Sequence, residues 1–184
     1  MRPGACAILL LATAAAWAQS LFDLARLMQL LSQAPSAEVP YVEKKYSALL
    51  SEPVVSSGTL VYRRPDVVEK NMSAPREEGY RIAGEELTLT RKGAQRRIAL
   101  SSEPLLAAFA ASLRGVLSGD AALLARHYRL ALDGVQDDWK LEMTPIDEEI
   151  ARYVERIVVS GRAGRVARIE VREASGDRSV LQVR

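Results

Sequence analysis

Beyond residue 38, short runs of alternating apolar and polar residues separated by turn residues dominate the chain. Leu87 and Leu89 alternate with Thr88 and Thr90, and Trp139, Leu141 and Met143 alternate with Lys140 and Glu142. Successive strand side chains point to opposite faces, so each run describes a sheet with two unlike faces. A long strand is expected over 39–49, a loop over 51–57 around Pro53, and a second strand over 58–64. Ala74-Pro75, Ala83-Gly84 and Lys92-Gly93 then divide the chain into closely spaced short strands. Further strands are expected over 128–132, 139–143, 156–160, 166–172 and 178–183. Such spacing predicts an antiparallel meander of roughly ten strands.

Helical periodicity interrupts this pattern in two or three places. Ser20 is a candidate N-cap, with Asp23 three residues on, ahead of Leu21, Leu24, Leu27, Met28 and Leu31 on one face. Pro35 should stop that helix. A second helix is expected from Pro104, a favourable first-turn residue, to Gly119, with Asp120 capping a third that runs to about His127. Thr144-Pro145 opens a short helical turn with acids at 147–149, as the helix dipole favours. From Leu105 to Leu113 there is no charged residue; the next is Arg114. A helix apolar all round must be covered on more than one side. It is either a core helix or a lid with one face on the sheet and another toward an apolar ligand.

The N-terminus changes the compartment. Arg2, an apolar run from Ala5 to Ala16 and then Ala16-Trp17-Ala18 have the layout of a secretory signal peptide. The run is short for a permanent membrane span. Cleavage after Ala18 is expected, leaving one mature domain, 19–184, in the bacterial periplasm. The sole cysteine, Cys6, lies inside the leader without a lipobox, so the mature chain has no disulfide or thiol chemistry. Removing Arg2 from 25 basic residues leaves 24 against 23 acidic ones, a balance that gives no argument for nucleic acid. Aromatics make up only 5% of the chain, so its interior is built mainly from Leu, Val, Ile and Ala.

Catalytic patterns are weak. His127 is the single histidine, and no Gly-x-Ser-x-Gly elbow accompanies it. No His/Cys spacing fits zinc, and no glycine-rich phosphate loop follows a strand, so neither a metal nor a cofactor is expected. Asp147, Glu148 and Glu149 read as a solvated helix start. Arg96-Arg97 and the arginines at 162, 165 and 168 read as solvated strand faces interleaved with acids, with docking to an anionic surface or acidic partner the alternative.

The most informative stretch is Gly58-Thr59-Leu60-Val61-Tyr62-Arg63-Arg64-Pro65. Alternation puts Leu60, Tyr62 and Arg64 on one face. A guanidinium does not lose its proton, so Arg64 needs acceptors if it turns inward. It either snorkels into water at a strand end or acts as a latch.

In order, a leader, an N-terminal helix, a strand reading Tyr41-Val42-Glu43-Lys44, the Gly58–Pro65 strand and a hairpin with Gly84 and Leu87 resemble the LolA-type outer-membrane lipoprotein carriers. Their shorter LolA-like relatives from lipid and polyene export settings are more similar still. The resemblance implies an α+β fold, a strongly curved antiparallel sheet or open half-barrel closed by helices. It also implies a hollow for acyl chains, an inner-membrane transporter as donor and an outer-membrane acceptor. Arg64 matches the arginine that ties sheet to lid in the family. The chain departs from the family's aromatic-rich hollow at Asp66-Val67-Val68-Glu69-Lys70, and it ends soon after the strand at Arg178. The docking partners and cargo are accordingly expected to differ from the main carriers'.

These readings converge on a monomeric, non-catalytic periplasmic carrier of a lipoprotein or other acylated lipid, working as a transport chaperone. Arg64 is its expected latch. Leu60, Tyr62, Leu105, Leu106, Phe109, Leu113, Trp139, Leu141 and Met143 are its expected lining. The rival readings are an accessory scaffold of an envelope lipid or polyene export system, with a filled core, and an acyl-directed enzyme using His127.

Overall fold

The computed structural model describes residues 22–184. The leader at 1–18, its Cys6 and the Ser20 cap lie outside the described residues. The helix there begins with Asp23, whose side chain accepts from the Arg26 amide at 2.8 Å. This helix, α1 (Leu24–Ser32), buries Leu27, Met28 and Leu31.

Six strands follow as one meander: β1 (Ala37–Tyr46), β2 (Val54–Arg63), β3 (Val67–Ala74), β4 (Glu78–Ala83), β5 (Glu86–Arg91) and β6 (Ala94–Ala99). A 3-10 turn at Leu100–Ser102 leads into α2 (Pro104–Ser118) and α3 (Ala121–Ala125). The second meander is β7 (Tyr128–Val135), β8 (Asp138–Pro145), α4 (Glu148–Ala151), β9 (Val154–Arg162), β10 (Arg165–Glu173) and β11 (Arg178–Val183). All neighbouring strands pair antiparallel, in the order β6-β5-β4-β3-β2-β1-β11-β10-β9-β8-β7. The eleven strands form a curved sheet whose edges, β6 and β7, do not meet.

That topology has a direct consequence. The chain leaves the sheet at one edge and re-enters it at the other, so the segment between β6 and β7 has to cross a face. The crossing is made by α2, whose fifteen residues span about 22 Å at the usual helical rise. Pro104 opens α2, and Gly119 closes it in the left-handed region at φ 71°. A Cβ on Gly119 would also collide with the Met28 carbonyl of α1, so the turn needs glycine twice over.

Boundaries moved in one informative place. The expected loop at 51–57 is strand from Val54 onward, because Val54 to Ser57 pair with Val42 to Lys45 of β1. Serine is a poor strand former by itself, and here the neighbouring strand overrides that preference. Gly58 of the Gly58–Pro65 stretch follows a register shift between β2 and β3, and a Cβ there would run into the Asn71 carbonyl of β3.

Two apolar clusters lie under the helices. The larger joins Leu27, Met28 and Leu31 of α1, Ala108 and Val116 of α2 and Leu124 of α3 to Trp139, Leu141, Met143, Ile157 and Val159 of β8 and β9. The smaller joins Ala110 of α2 to Ile82, Leu87 and Leu100, with Leu106, Ala107 and Leu113 packed against it. The charge-free helix is therefore covered on two sides, by different ends of one sheet.

Candidate functional site

Register defines the face that the helices cover. Tyr41 is paired with Gly58, which is paired with Met72; Leu60 is paired with Lys70, which is paired with Tyr80. Tyr62 pairs with Val68, and Val68 with Ile82. These residues and Glu43 share the face that carries Ile82 and Leu87 of the smaller cluster. Tyr41, Tyr62 and Val68 are buried on it yet belong to neither of the two clusters described. The middle of the face, under the crossing helix, thus differs from its two ends.

Arg64 stands at the end of β2 and turns onto this side. Its Nε donates to the Ala34 carbonyl at 2.9 Å, and its terminal nitrogen donates to the carbonyls of Leu31, at 3.4 Å, and Ser32. Its backbone amide donates to the Ser36 hydroxyl at 3.2 Å. The last carbonyls of a helix have no partner within it and form the negative end of its dipole. Because α1 has no basic residue in its last turn, Arg64 supplies the charge from a distant strand. It engages α1, not the charge-free α2.

The structure adds an arginine that the sequence reading passed over. Arg114 of α2 donates to the Gly84 carbonyl, in the β4–β5 turn, at 3.0 Å and lies 4.0 Å from Glu85. The Gly84 amide in turn donates to Asp66, two residues after Arg64, at 3.0 Å. Both turns lie on the same rim of the sheet. Two polar links, Arg64 to the end of α1 and Asp66 through Gly84 to Arg114, joined by the backbone at 64–66, therefore tie both helices to that rim. The signal available in the sequence was the position of Arg114, the first charge after nine apolar or small residues.

A second polar group occupies the helix-bearing face itself. The Lys70 ammonium donates to Glu43 at 2.6 Å and sits 5.3 Å from the centre of the Tyr41 ring. Ser56 donates to the same carboxylate at 3.3 Å. Burial pushes the Tyr41 phenol up to about 12, with the Glu43 charge adding to the shift and Ser56 opposing it. Ser56 is close enough to favour the phenolate slightly, but its own proton goes to Glu43 and the Tyr41 hydroxyl has no hydrogen-bond partner among the described residues. The Tyr80 phenol, on the same face, is also raised by burial and by Glu78, to which it donates at 3.3 Å.

Seven of the nine expected lining residues fall into three groups. Leu60 and Tyr62 lie on the helix-bearing face, Leu60 partly buried and Tyr62 buried, with the Tyr62 hydroxyl donating to the Pro65 carbonyl at 3.3 Å. Leu106 and Leu113 pack into the smaller cluster. Trp139, Leu141 and Met143 are at most 2% exposed inside the larger cluster. Residues of α1, α2 and α3 cover those three in this arrangement. Phe109 is 40% exposed, outside both clusters, because its helical angle falls between the two buried stripes of α2. The side chain of Leu105 lies outside the described residues.

His127 is half-buried next to α4, with Nδ1 3.8 Å from Asp147 and no hydrogen bond at that nitrogen. Asp147 uses its other oxygen to cap α4, accepting from the Glu149 amide at 2.9 Å. The opposite face of the sheet is polar. A depression of about 540 Å³ there is lined by Lys140, Glu142, Arg156, Arg168 and Glu170, among others. Arg168 bonds Glu170 at 2.6 Å and Arg156 bonds Glu142 at 3.4 Å, an interleaving of charges along solvated strands.

Several known proteins are similar. A LolA superfamily protein from Nitrosomonas europaea shares 14% identity over 88% of this chain and 89% of its own, with a TM-score of 0.48. A chain of the Pseudomonas aeruginosa MucA/MucB complex shares 16% identity over 87% of this chain, with a TM-score of 0.48; the match spans 53% of that chain. An outer membrane lipoprotein-sorting protein domain from Vibrio parahaemolyticus shares 14% identity over 87% and 88% of the two chains, with a TM-score of 0.45. Comparison with curated protein sequences finds no match. The sequence profile of the outer membrane lipoprotein carrier protein LolA-like family matches residues 14–182, nearly the whole chain, and this protein belongs to that family.

Proposed function

We propose that this protein carries an acylated cargo across the periplasm, holding acyl chains against the helix-bearing face of its sheet and releasing them when the helices move. The observation that carries the reading is the pair of polar links at the rim, Arg64 to the end of α1 and Asp66 through Gly84 to Arg114. A lid that opens needs few, directional and reversible contacts, and hydrogen bonds from two arginines to backbone carbonyls are of that kind. Family membership supports the same reading. Burial of each cargo methylene contributes about 0.8 kcal/mol, so one long chain supplies ample affinity without any reaction being catalysed.

Residues 1–18 act in this reading as a leader cleaved after Ala18, delivering 19–184 to the periplasm as a monomer. An inner-membrane transporter would supply the cargo and an outer-membrane acceptor would receive it. Leu60, Tyr62, Leu106, Leu113 and Phe109 would meet the cargo directly. Trp139, Leu141 and Met143 would become lining only when the helices lift.

The burial of those last three residues favours a second reading, an accessory subunit of an envelope lipid or polyene export system with a permanently filled core. Native mass spectrometry of the protein purified from its own periplasm without detergent separates the two. A bound lipid or lipopeptide mass, together with an N-terminus at Gln19, supports the carrier. An empty protein that also refuses fluorescent fatty acid supports the accessory role.

A further inference from the structure

The Tyr41 side chain is 1% exposed, and its hydroxyl has no hydrogen-bond partner among the described residues. Buried polar atoms in native proteins are almost always bonded, so an unbonded one marks either a defect or a place kept for something else. Its surroundings favour the second. Ser56 gives its proton to Glu43, and its oxygen, though near enough to oppose the Tyr41 shift, is not in bonding geometry with the phenol. Lys70 uses Glu43 as its one partner, and an ammonium has three protons to give. Two donors, the Tyr41 hydroxyl and the remaining Lys70 protons, are thus left over on the helix-bearing face, with the Lys70 ammonium 5.3 Å from the centre of the Tyr41 ring. Solvent reaches this group at Lys70, Glu43 and Tyr80, with 31% of the Lys70 side chain, 20% of the Glu43 side chain and 41% of Tyr80 exposed.

We propose that Tyr41 and Lys70, held by Glu43 and Ser56, form a subsite for the ester carbonyl of an uncharged, glyceryl-linked acyl chain. This rests on the carrier reading and specifies the chemistry of its cargo. Surplus donors call for an acceptor. The charge of Lys70 is balanced by Glu43 at 2.6 Å, and Glu78, further along the face, is balanced by Arg91 at 3.1 Å. A carboxylate or phosphate would find carboxylates here without net positive charge to offset its desolvation. A carbonyl loses little on leaving water and accepts from both donors. Leu60, paired with Lys70 across the strands, and Met72, two residues along β3, give the first methylenes of the chain an apolar contact on the same face.

Tyr41→Phe tests this, since it removes one oxygen and keeps the ring. Binding of monoolein, of a dipalmitoylglyceryl-cysteine lipopeptide and of oleate is measured at neutral pH by displacement of a fluorescent naphthylamine. The two ester ligands are expected to lose about 3–10-fold in affinity in the variant, the worth of one hydrogen bond, while oleate binding and thermal stability do not fall. Either order of the two esters supports the chemistry: a tighter lipopeptide assigns the ester to a lipoprotein, a tighter monoolein to a free glycerolipid. Ester binding unchanged by Tyr41→Phe, or an equal loss for oleate, overturns the subsite and leaves acyl carriage standing. Failure of the wild-type protein to take up any of the three overturns the subsite and the carrier reading together.

Discussion

The two halves of the helix-bearing face are built on the same antiparallel pattern and used differently. Over β7–β10, three helices press Leu27, Leu124 and Val116 onto Trp139, Leu141 and Ile157, and even the Trp139 indole is satisfied, donating to the Ala163 carbonyl at 2.9 Å. Over β1–β4, the face holds an ion pair, an unbonded phenol and a rim of arginine contacts. Dense apolar packing stabilises, but it has one arrangement and resists movement. Directional contacts to backbone carbonyls contribute less each and are readily made and broken. The first half is suited to keep the protein folded, the second to let its helices move.

That contrast breaks first at Leu141. Its replacement by alanine removes a side chain with no exposed surface and is expected to cost about 2–5 kcal/mol in urea unfolding. Leu60→Ala, partly buried on the other half, should cost clearly less. Equal costs would show that both halves are packed core.

Next come the arginines. Arg64→Leu removes charged donors from the end of α1 and is expected to cost about 1–3 kcal/mol, with the protein still folded and exported but poor in cargo transfer. Full transfer by that variant would remove the latch. Arg114→Met should resemble it in direction. In the double variant the two losses should combine non-additively, since Arg64 and the Asp66–Gly84–Arg114 link share the turn at 64–66.

A smaller and purely electrostatic difference lies in the tyrosines. Burial raises Tyr41 to about 12 and raises Tyr128, in the packed half, in the same direction. A raised folded-state value means the neutral phenol is favoured on folding. Its contribution is therefore complete below pH 10, the ordinary tyrosine value, and is lost as pH climbs toward 12. Tyr41→Phe should flatten part of that alkaline decline in thermal unfolding, and an unchanged profile would mean that Tyr41 is not a buried neutral phenol.

The smallest expected change is at Phe109. With 40% of it exposed, Phe109→Ser should shift stability by within about 0.5 kcal/mol, so any drop in cargo uptake would be a direct contact effect.

Much of this was legible in the chain because strands announce themselves by local alternation. Arg178–Val183 has the bounds read from sequence, since Ser175-Gly176-Asp177 mark its start, and Ala83-Gly84 and Lys92-Gly93 bracket Glu86–Arg91 as read. Val54–Ser57 was not legible as strand, because pairing with β1 overrides two serines there. Among site residues, period two put Arg64 on the Leu60 and Tyr62 face, and a charge that cannot be shed meant it would need acceptors if it turned inward; the turn itself was left open. The identity of those acceptors did not follow, nor did Arg114, because each depends on which turn and which helix end meet at the rim.

What the sequence alone determined about this protein is the antiparallel meander, the positions of the helices and the presence of an obligate cation at the end of β2. Those depend on contacts between near neighbours in the chain. Only the tertiary structure decided that β1 pairs with β11, that α2 crosses the face between two apolar clusters, that Trp139, Leu141 and Met143 are roofed over, and that the Tyr41 hydroxyl is left without a partner among the described residues. Burial and hydrogen-bond satisfaction at those places are set by residues up to about a hundred and forty positions away, and no local pattern records such a distance.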